Sequence, residues 1–339
     1  MLFSWPFLRP SRSFQIFDLC TTSASEMQGE GEREVAMTAF QTILVAIDRS
    51  TFARVVLDHA AHFARAFDAD LVILHVAEIP PVLPIPEEGA LGRDPWFDAR
   101  AMRETAREEI IGRIAETSVS ALCPEVILRS GLPGEEIALE AKERGADLVI
   151  IGTHGRSGLS RFLLGSVAEK VGIDAPCPVL TVRGDDKSEA PIDPPRRILI
   201  PVDLSPRSLD ALPAALEVAK RFGAETALLA VLEDPLQHPE IVWQERAGIT
   251  PEEVKAHCAA ETRRILRTEL EARGLASPLP RLEIGYGPPA RTIVERASAE
   301  GYDLIALASR GRGSWVGTIL GSVARGVVRG APCPVLTLR

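Results

Sequence analysis

One loop in the first half of the chain combines residue types and spacing that suit a phosphate group. Gly152 and Gly155 are followed, after nine residues, by Gly165 and Ser166. We expect Gly152 to let the chain turn out of a strand and Gly155 to let a ligand approach the backbone closely. Gly165 and Ser166 precede a helical pattern; free N–H groups at a helix start attract anions, and a serine hydroxyl can donate to a phosphate oxygen. Arg156 adds positive charge, so the loop predicts a site for a phosphorylated ligand.

The same loop recurs near the end of the chain. Residues 145–183 align without a gap to residues 301–339, and 19 of 39 positions are identical. The two copies are about 155 residues apart, and a period of this length indicates a duplicated domain, because solenoid units are about 20–50 residues long. The second loop departs at Ala308, where the first glycine is expected, which leaves open whether it binds the same ligand. Its other candidate positions are Gly311, Arg312, Gly321 and Ser322.

An aspartate ends an equivalent apolar run in each copy. TILVAIDRS at 42–50 corresponds to RILIPVDLS at 197–205, so Asp48 and Asp203 occupy equivalent places. Each run predicts a buried strand. Ligands of parallel α/β sheets bind at the carboxyl ends of the strands, near the point where the strand order reverses. We therefore expect each aspartate to face the same cleft as the glycine loop of its copy.

Short apolar runs alternate with longer helical patterns in both copies. The order βαβαβαβαβ predicts a parallel sheet with helices on both faces. The predicted fold class is therefore α/β, with two tandem doubly wound, Rossmann-like domains. In copy one, strands are predicted at 43–48, 71–76, 125–129, 148–152 and 178–182, and helices at 50–67, 98–119, 133–144 and from the glycine loop to about 173.

Composition divides the chain into four parts. Residues 1–39 are predicted to be a disordered extension, because residues 20–36 are rich in Ser, Thr, Gly and Glu. Domain 1 is predicted at 40–183 and domain 2 at 195–339. The polar, proline-rich residues 184–194 between them predict a linker.

The overall composition disfavours several classes of protein. The chain has 339 residues and a formal net charge of −9, whereas a general nucleic-acid binder needs a basic face. It has no run of 18 apolar residues, so we expect no membrane span, and the N-terminal apolar stretch lacks a signal-peptide pattern. Five scattered cysteines are expected to be reduced, which predicts a cytoplasmic protein.

Catalytic and metal-binding patterns are not convincing in this sequence. It contains no G-x-x-x-x-G-K-[S/T] loop and neither the S-G-G-x-D-S nor the H-x-G-H motif of adenylating enzymes. His59 and His62 have the spacing of a metal pair, but no third ligand is visible and a helix-surface position is expected. His154 is expected to neighbour phosphate, and Cys177 and Cys333 to pack in buried strands. We predict no catalytic residue and no metal site in the protein itself.

These motifs resemble those of the universal stress protein family, in both copies and over about 85% of the chain. Copy one matches the family's G-x2-G-x9-G-[S/T] loop in full, and it has the I-L-V-A-I-D, A-D-L-V-I-I-G and A-P-C-P-V-L-T-V-R segments. The resemblance implies a fold like that of the adenine nucleotide alpha hydrolases and a site for ATP, or ADP or AMP, with Mg²⁺ as a companion of ATP. It implies that the aspartate lies beside the nucleoside, the end of the second strand meets adenine, and the loop binds ribose and phosphates. The implied binding residues are Ala46, Asp48, Val76, Gly152, Gly155, Arg156, Gly165 and Ser166 in copy one, and Val202, Asp203, Val231, Gly311, Arg312, Gly321 and Ser322 in copy two.

The resemblance also bears on function and assembly. It implies a regulatory protein of the stress response that binds an adenine nucleotide without fast catalysis. A slow ATPase and an interaction module that has lost its nucleotide are the alternatives. Single-domain members commonly pair through their last strands, so the two copies are expected to pair within one chain as a pseudo-two-fold unit. A homodimer of whole chains is left open.

Overall fold

The computed structural model describes most of the two predicted domains. The described residues are 40–77, 95–153, 165–183, 192–234, 250–275, 280–311 and 320–339, with backbone alone for 95–103. Residues 1–39, most of the predicted linker, and the candidate residues His154, Gly155, Arg156 and Arg312 lie outside them.

Copy one alternates strands and helices in the predicted order. Its first helix begins at Ala53, three residues later than predicted, because Phe52 is buried and residues 50–52 form a turn. Pro133 opens the third helix, since a proline in the first turn removes no helical hydrogen bond. The elements are β1 Thr42–Ala46, α1 Ala53–Phe67, β2 Asp70–Ala77, α2 Pro95–Ala115, β3 Glu125–Ser130, α3 Pro133–Glu143, β4 Leu148–Gly152, α4 Ser166–Asp174 and β5 Val179–Val182.

Copy two repeats this order with differently built helix starts. The first helix begins at Pro206, and the side chain of Ser205 caps it by accepting from the backbone N–H of Ser208. The second begins with a capping box between Thr250 and Glu253. The elements are β6 Arg197–Val202, α5 Pro206–Phe222, β7 Glu225–Leu232, α6 Pro251–Ala272, β8 Arg281–Tyr286, α7 Pro289–Glu300, β9 Leu304–Ala308, α8 Ser322–Gly330 and β10 Val335–Leu338.

The ten described strands form one continuous sheet. Its order is β3-β2-β1-β4-β5-β10-β9-β6-β7-β8, and the strands within each copy are parallel. The copies meet where β5 and β10 pair antiparallel, with Leu180 opposite Leu336. The predicted fold class, two tandem α/β domains, is confirmed. The strand order reverses beside β1 in copy one and beside β6 in copy two, so each copy has its own switch point.

Apolar side chains cover both faces of the sheet. On one face, helices α1, α2, α5 and α6 share a single core cluster that runs through both copies. The ring of Phe63 meets that of Phe222 edge-on at 5.0 Å between centroids, which joins α1 to α5. On the other face, α3 and α4 cover copy one, and α7 and α8 cover copy two, with separate clusters. Every residue that the sequence pattern placed on the apolar face of α1 is buried: Val55, Val56, Ala60, Phe63, Ala64 and Phe67.

Salt bridges join the edge strand of each copy to the helix beside it. The positive and negative side chains are exchanged between the two copies. In copy one, Arg144 bonds to Glu125 on β3 and to the buried Glu140 on α3, both at 2.8 Å. The equivalent positions of copy two carry the opposite charges and pair in the same way. These positions are Glu125 and Arg281, Glu140 and Arg296, and Arg144 and Glu300.

Reciprocal arginine contacts close the junction between the copies. Arg183, after β5, donates to the carbonyl of Arg329 near the end of α8 (2.6 Å). Its counterpart Arg339, after β10, donates to the carbonyls of Gly172 and Ile173 near the end of α4 (3.1 and 3.0 Å). Carbonyls at a helix C-terminus lack partners within the helix, and a cation there also suits the helix dipole. Each copy therefore caps the last helix of the other.

Candidate functional site

The aspartate after the first strand of each copy is held in a defined orientation. Asp48 Oδ1 accepts hydrogen bonds from the backbone N–H and the hydroxyl of Ser50, at 3.0 and 2.5 Å. Asp203 Oδ1 accepts the same pair from Ser205, at 3.0 and 2.6 Å. An Asp side chain bonded to the backbone two residues later forms an Asx-turn. Both carboxylates are thus fixed at the strand end where the sequence placed them.

Copy one braces this turn with side chains that sequence analysis missed. Arg113 on α2 donates to the carbonyls of Arg49 and Ser50, at 2.7 and 3.0 Å. Arg49 in turn bonds to Glu109 (Nη2 to Oε1, 2.7 Å). Arg113 and Glu109 lie on α2, at least 60 positions from their partners in the turn, where a charge pattern alone does not reveal a specific partner.

The buried His75 also holds this strand end. Its Nδ1 donates to the carbonyl of Ile47 at 2.9 Å, and the N–H of Ile47 donates to the carbonyl of Leu74 at 3.0 Å. The backbone that leads to Asp48 is therefore tied to β2. A histidine in an apolar strand could have drawn attention to this contact, because a buried polar group needs a partner.

The side chains of the other strand-end candidates pack into the core. Ala46 and Val76 lie in the core cluster beneath α3 and α4, on one face of the sheet. In copy two, Val202 belongs to the cluster beneath α5, whereas Val231 packs on the opposite face. Side chains of Val202 and Val231 therefore do not share a surface, although the two strands are neighbours.

Gly152 is a glycine for a different reason from the one expected. It is the last residue of β4 and does not have a positive φ, so it forms no turn that other residues would avoid. A Cβ at this position would lie 2.9 Å from Cε1 of Phe52 and 3.2 Å from Cγ2 of Val56. The missing side chain makes room for the buried Phe52 ring.

Ala308 is accommodated because its neighbours are different. The positions equivalent to Phe52 and Val56 hold Arg207 and Ala211. Arg207 is exposed and Ala211 is a smaller core residue. Without the phenyl ring and the valine methyls, a methyl at the end of β9 has space. The departure of copy two from the glycine pattern is therefore a packing change.

Gly165 and Gly321 close the base of the glycine loop in both copies. The N–H of Gly165 donates to the carbonyl of Thr153 (2.9 Å), and that of Gly321 to Ser309 (2.8 Å). A Cβ at 165 would lie 2.7 Å from the Thr153 oxygen, which explains the glycine. The next residue starts the helix: Ser166 opens α4 and Ser322 opens α8, and both serines are exposed.

The aspartate and the glycine loop converge in copy two. A Cβ at Gly311 would collide with Oδ2 of Asp203, so the carboxylate lies directly on the loop backbone. The structure thus brings together two candidate residues, 108 positions apart, that the sequence assigned to one cleft. The equivalent of Gly311 in copy one is Gly155, outside the described residues.

Burial controls the protonation of two thiols and one histidine. Burial raises the pKa of the Cys177 thiol to about 11 and that of Cys333 to about 12, so both remain protonated near neutral pH. Burial, with a smaller effect of His62, lowers the pKa of His59 to about 4. His62 Nε2 donates to the carbonyl of Ile192 at 2.6 Å. Both histidines are half-buried, so neither lies on the open helix surface that was expected.

Neither a metal-binding cluster nor a membrane-spanning helix is present in the described ranges. They contain no group of three or more His, Cys, Asp or Glu side chains arranged to hold a metal ion. None of the helices within these ranges has the length and apolar character that a membrane span requires.

Comparison with known proteins gives a consistent result. The family described as "Universal stress protein family" matches residues 39–183 and again 195–339. A universal stress protein of Methanocaldococcus jannaschii is 32% identical over 151 residues, which are 44% of this chain and 85% of that protein. One of Mycolicibacterium smegmatis is 28% identical over 309 residues, 88% of this chain and 96% of that protein. The crystal structure of a universal stress protein from Archaeoglobus fulgidus superposes with a TM-score of 0.60 at 23% identity, covering 90% of this chain and 99% of that one. With both halves matched and the fold shared, the chain belongs to the universal stress protein family.

Proposed function

We propose that copy one binds ATP, or ADP or AMP, and that the protein acts as a cytoplasmic regulator of the stress response without fast catalysis. The observation that carries this proposal is that Asp48, after β1, and Gly165, at the start of α4, follow two neighbouring strands at the switch point between β1 and β4. Gly165 fixes the start of α4 at that edge through its bond to the Thr153 carbonyl. The four free cysteines among the described residues fit a reducing compartment.

Each part of the nucleotide has a matching group in this arrangement. The first-turn amides of α4 and the exposed Ser166 hydroxyl are donors for phosphate oxygens. Asp48 is an acceptor held by Ser50, and it suits hydroxyl or amine donors of the nucleoside. Backbone at Ala46 and Val76 borders the adenine, and Gly152, Gly155 and Arg156 complete the loop. Mg²⁺ would bind with ATP through the phosphate oxygens, since the described residues supply no cage for it.

Copy two is proposed as the weaker site. Asp203 and Val231 with backbone at Val202, and Gly311, Arg312, Gly321 and Ser322 in the loop, are its candidate residues. Here the carboxylate of Asp203 lies against Gly311, where a phosphate group would need the backbone. This contact favours, for copy two alone, the second candidate function, a module that contributes interactions without nucleotide.

Nucleotide binding is tested by paired substitutions in the intact chain. Asp48→Asn keeps an acceptor for the Ser50 turn but removes the charge, and Asp203→Asn is its matched control. Losing a hydrogen bond to a charged group costs about 1.5–3 kcal/mol, so we expect Asp48→Asn to weaken ATP binding at least about tenfold in calorimetry. The control should change affinity by less than about twofold.

Mass spectrometry of natively purified protein and a turnover assay separate the remaining alternatives. Retained or added adenine nucleotide with negligible hydrolysis, and tighter ATP binding in Mg²⁺, is the expected result. Steady hydrolysis that Asp48→Asn abolishes would instead establish an ATPase. A chain that ignores ATP, ADP and AMP at millimolar concentration would refute the proposal.

A further inference from the structure

The junction between the copies contains one set of contacts that does not depend on which copy faces which. Residues 183 and 339 are equivalent arginines, and each donates to a backbone carbonyl of the opposite helix. The paired strands β5 and β10 are nearly identical in sequence, VLTV and VLTL. These contacts would form equally well between two copy-one faces or two copy-two faces. They supply strength to the junction but no selectivity.

A second set of contacts differs between the copies. Glu169 on α4 lies 3.5 Å (Oε1) from Nε of Arg325 and 3.5 Å from Nη2 of Arg329, both on α8. Positions 169 and 325 are equivalent in the repeat, so they face each other across the pseudo-two-fold axis. Copy one presents Glu169 and Ile173 at this place, whereas copy two presents Arg325 and Arg329.

Pairing like with like would bring equal charges together at that axis. Two copy-one faces would place one carboxylate against another at position 169, and two copy-two faces would gather four guanidinium groups. The side chains involved are 28%, 35% and 47% exposed, so water screens such repulsion only in part. Nε of Arg325 is also buried and has no hydrogen-bond partner in the described part of the chain. Its compensation is the Glu169 carboxylate, which a copy-two face cannot supply.

We infer that the junction face of copy one selects copy two as its partner and rejects a second copy-one face. The partner that fits it carries a terminal arginine, a pairing strand and two basic side chains one helical turn apart. Copy two of this chain meets all three requirements. Like-charge juxtaposition against the wrong partner is a general source of specificity at interfaces. The inference is independent of nucleotide binding.

A complementation experiment with whole chains tests this selectivity. One variant carries Glu169→Arg, which makes both of its faces basic; the other carries Arg325→Glu with Arg329→Glu, which makes both acidic. Within each variant the junction is like-charged, whereas between the two variants every face meets an opposite charge. We expect amide exchange at 179–182 and 335–338 to rise at least about tenfold in each variant alone. A one-to-one mixture should form a two-chain species by light scattering, with exchange slowed again.

Two further variants serve as controls. The triple variant, with all three charges exchanged, should be a single-chain species with exchange within about twofold of wild type. Lys170→Glu reverses a charge on the same helix in the pair with Asp174, and it should leave the junction unchanged. If a charge-reversed chain does not fold, Glu169→Gln should still raise exchange severalfold. Unchanged exchange in Glu169→Gln or Glu169→Arg, or a mixture that gains no mass and no protection, would overturn the inference.

Discussion

The ends of β4 and β9 occupy equivalent places in the two copies and are built differently. At the end of β4, Gly152 leaves room for the ring of Phe52. At the end of β9 stands Ala308, and the positions equivalent to Phe52 and Val56 hold the exposed Arg207 and the small Ala211. The first glycine of the loop therefore reports which side chain packs behind the strand. Its replacement by alanine in copy two does not by itself indicate that the nucleotide site is lost. A comparison of sequence motifs alone would have suggested that it is.

The turn after the first strand also differs between the copies, in the side chains that support it and in its backbone conformation. In copy one, Arg49 is tied to Glu109 and its carbonyl is bonded by Arg113. The equivalent Leu204 in copy two adopts a left-handed conformation with φ of 60°. A non-glycine residue in that region is strained by roughly 1–2 kcal/mol. The aspartate turn is thus braced in copy one and strained in copy two, which agrees with the proposed order of nucleotide affinity.

The largest expected effect concerns the ends of β4 and β9, where substitutions at equivalent positions should change stability by different amounts. Gly152→Ala places a methyl group against the Phe52 ring, and overpacking of a core costs about 1–3 kcal/mol. Ala308→Gly removes a methyl group and adds backbone freedom, for about 1 kcal/mol or less. Urea unfolding should show the larger loss of stability for Gly152→Ala, with partial recovery when Phe52→Leu is added. Equal losses, or no recovery, would contradict the packing explanation.

The second largest effect is the pH dependence of stability that arises from His59 on α1, whose counterpart on α5 is Ala214. Burial lowers the pKa of His59 to about 4, from an ordinary value of 6.5. The unfolded chain therefore takes up a proton first, and stability falls as the pH drops from about 6.5 to about 4. We expect a loss of up to about 2 kcal/mol across this window, because one pKa unit corresponds to about 1.4 kcal/mol and part of the shift is screened.

His59→Gln should remove this acid sensitivity. Unfolding curves at pH 7.5, 6 and 5 measure it, and His62→Gln is the neighbouring control that should retain most of the slope. A slope unchanged in His59→Gln would show that other groups dominate the acid response.

A smaller effect concerns the two aspartate turns. Leu204→Gly relieves the left-handed strain but loses the packing of the Leu204 side chain against the core, so the two effects should offset to within about 1 kcal/mol. Arg49→Gly loses the pairing with Glu109 and gains backbone freedom, so it should destabilise copy one by about 1 kcal/mol. The larger loss of stability in Arg49→Gly is the measurable outcome in chemical denaturation, and an equal or larger loss in Leu204→Gly would reject the contrast between a braced and a strained turn.

The smallest expected effect distinguishes the helix starts. Ser166→Ala removes one neutral donor to phosphate, worth about 1 kcal/mol, and should weaken ATP binding about fivefold in calorimetry. Ser322→Ala should leave the measured affinity unchanged if copy two holds little nucleotide. An equal loss in both variants would mean that both helix starts bind phosphate.

The sequence was sufficient to predict the repeat, the succession of strands and helices along each copy and the location of the aspartates, because periodicity and duplication are local signals. It could not predict why Gly152 is a glycine, since that depends on Phe52, one hundred positions away. The contacts of His75, Arg113 and Arg183 could not be predicted either, because their partners are also distant in the sequence. Compensating charge changes also cannot be recognised in a single sequence. The salt bridges of Arg144 and those of its copy-two counterpart, which have exchanged charges, can be compared only once the paired residues are known.

The reciprocal caps at the junction have a practical consequence for altering the ends of this protein. Arg339 follows the last strand of copy two, yet its guanidinium holds the far end of α4, the helix that begins at the first glycine loop. A shortened C-terminus or a fused tag that displaces this residue would therefore disturb the first site before the second. Likewise, a domain excised at Arg183 would leave the last helix of the remaining half with an uncapped end.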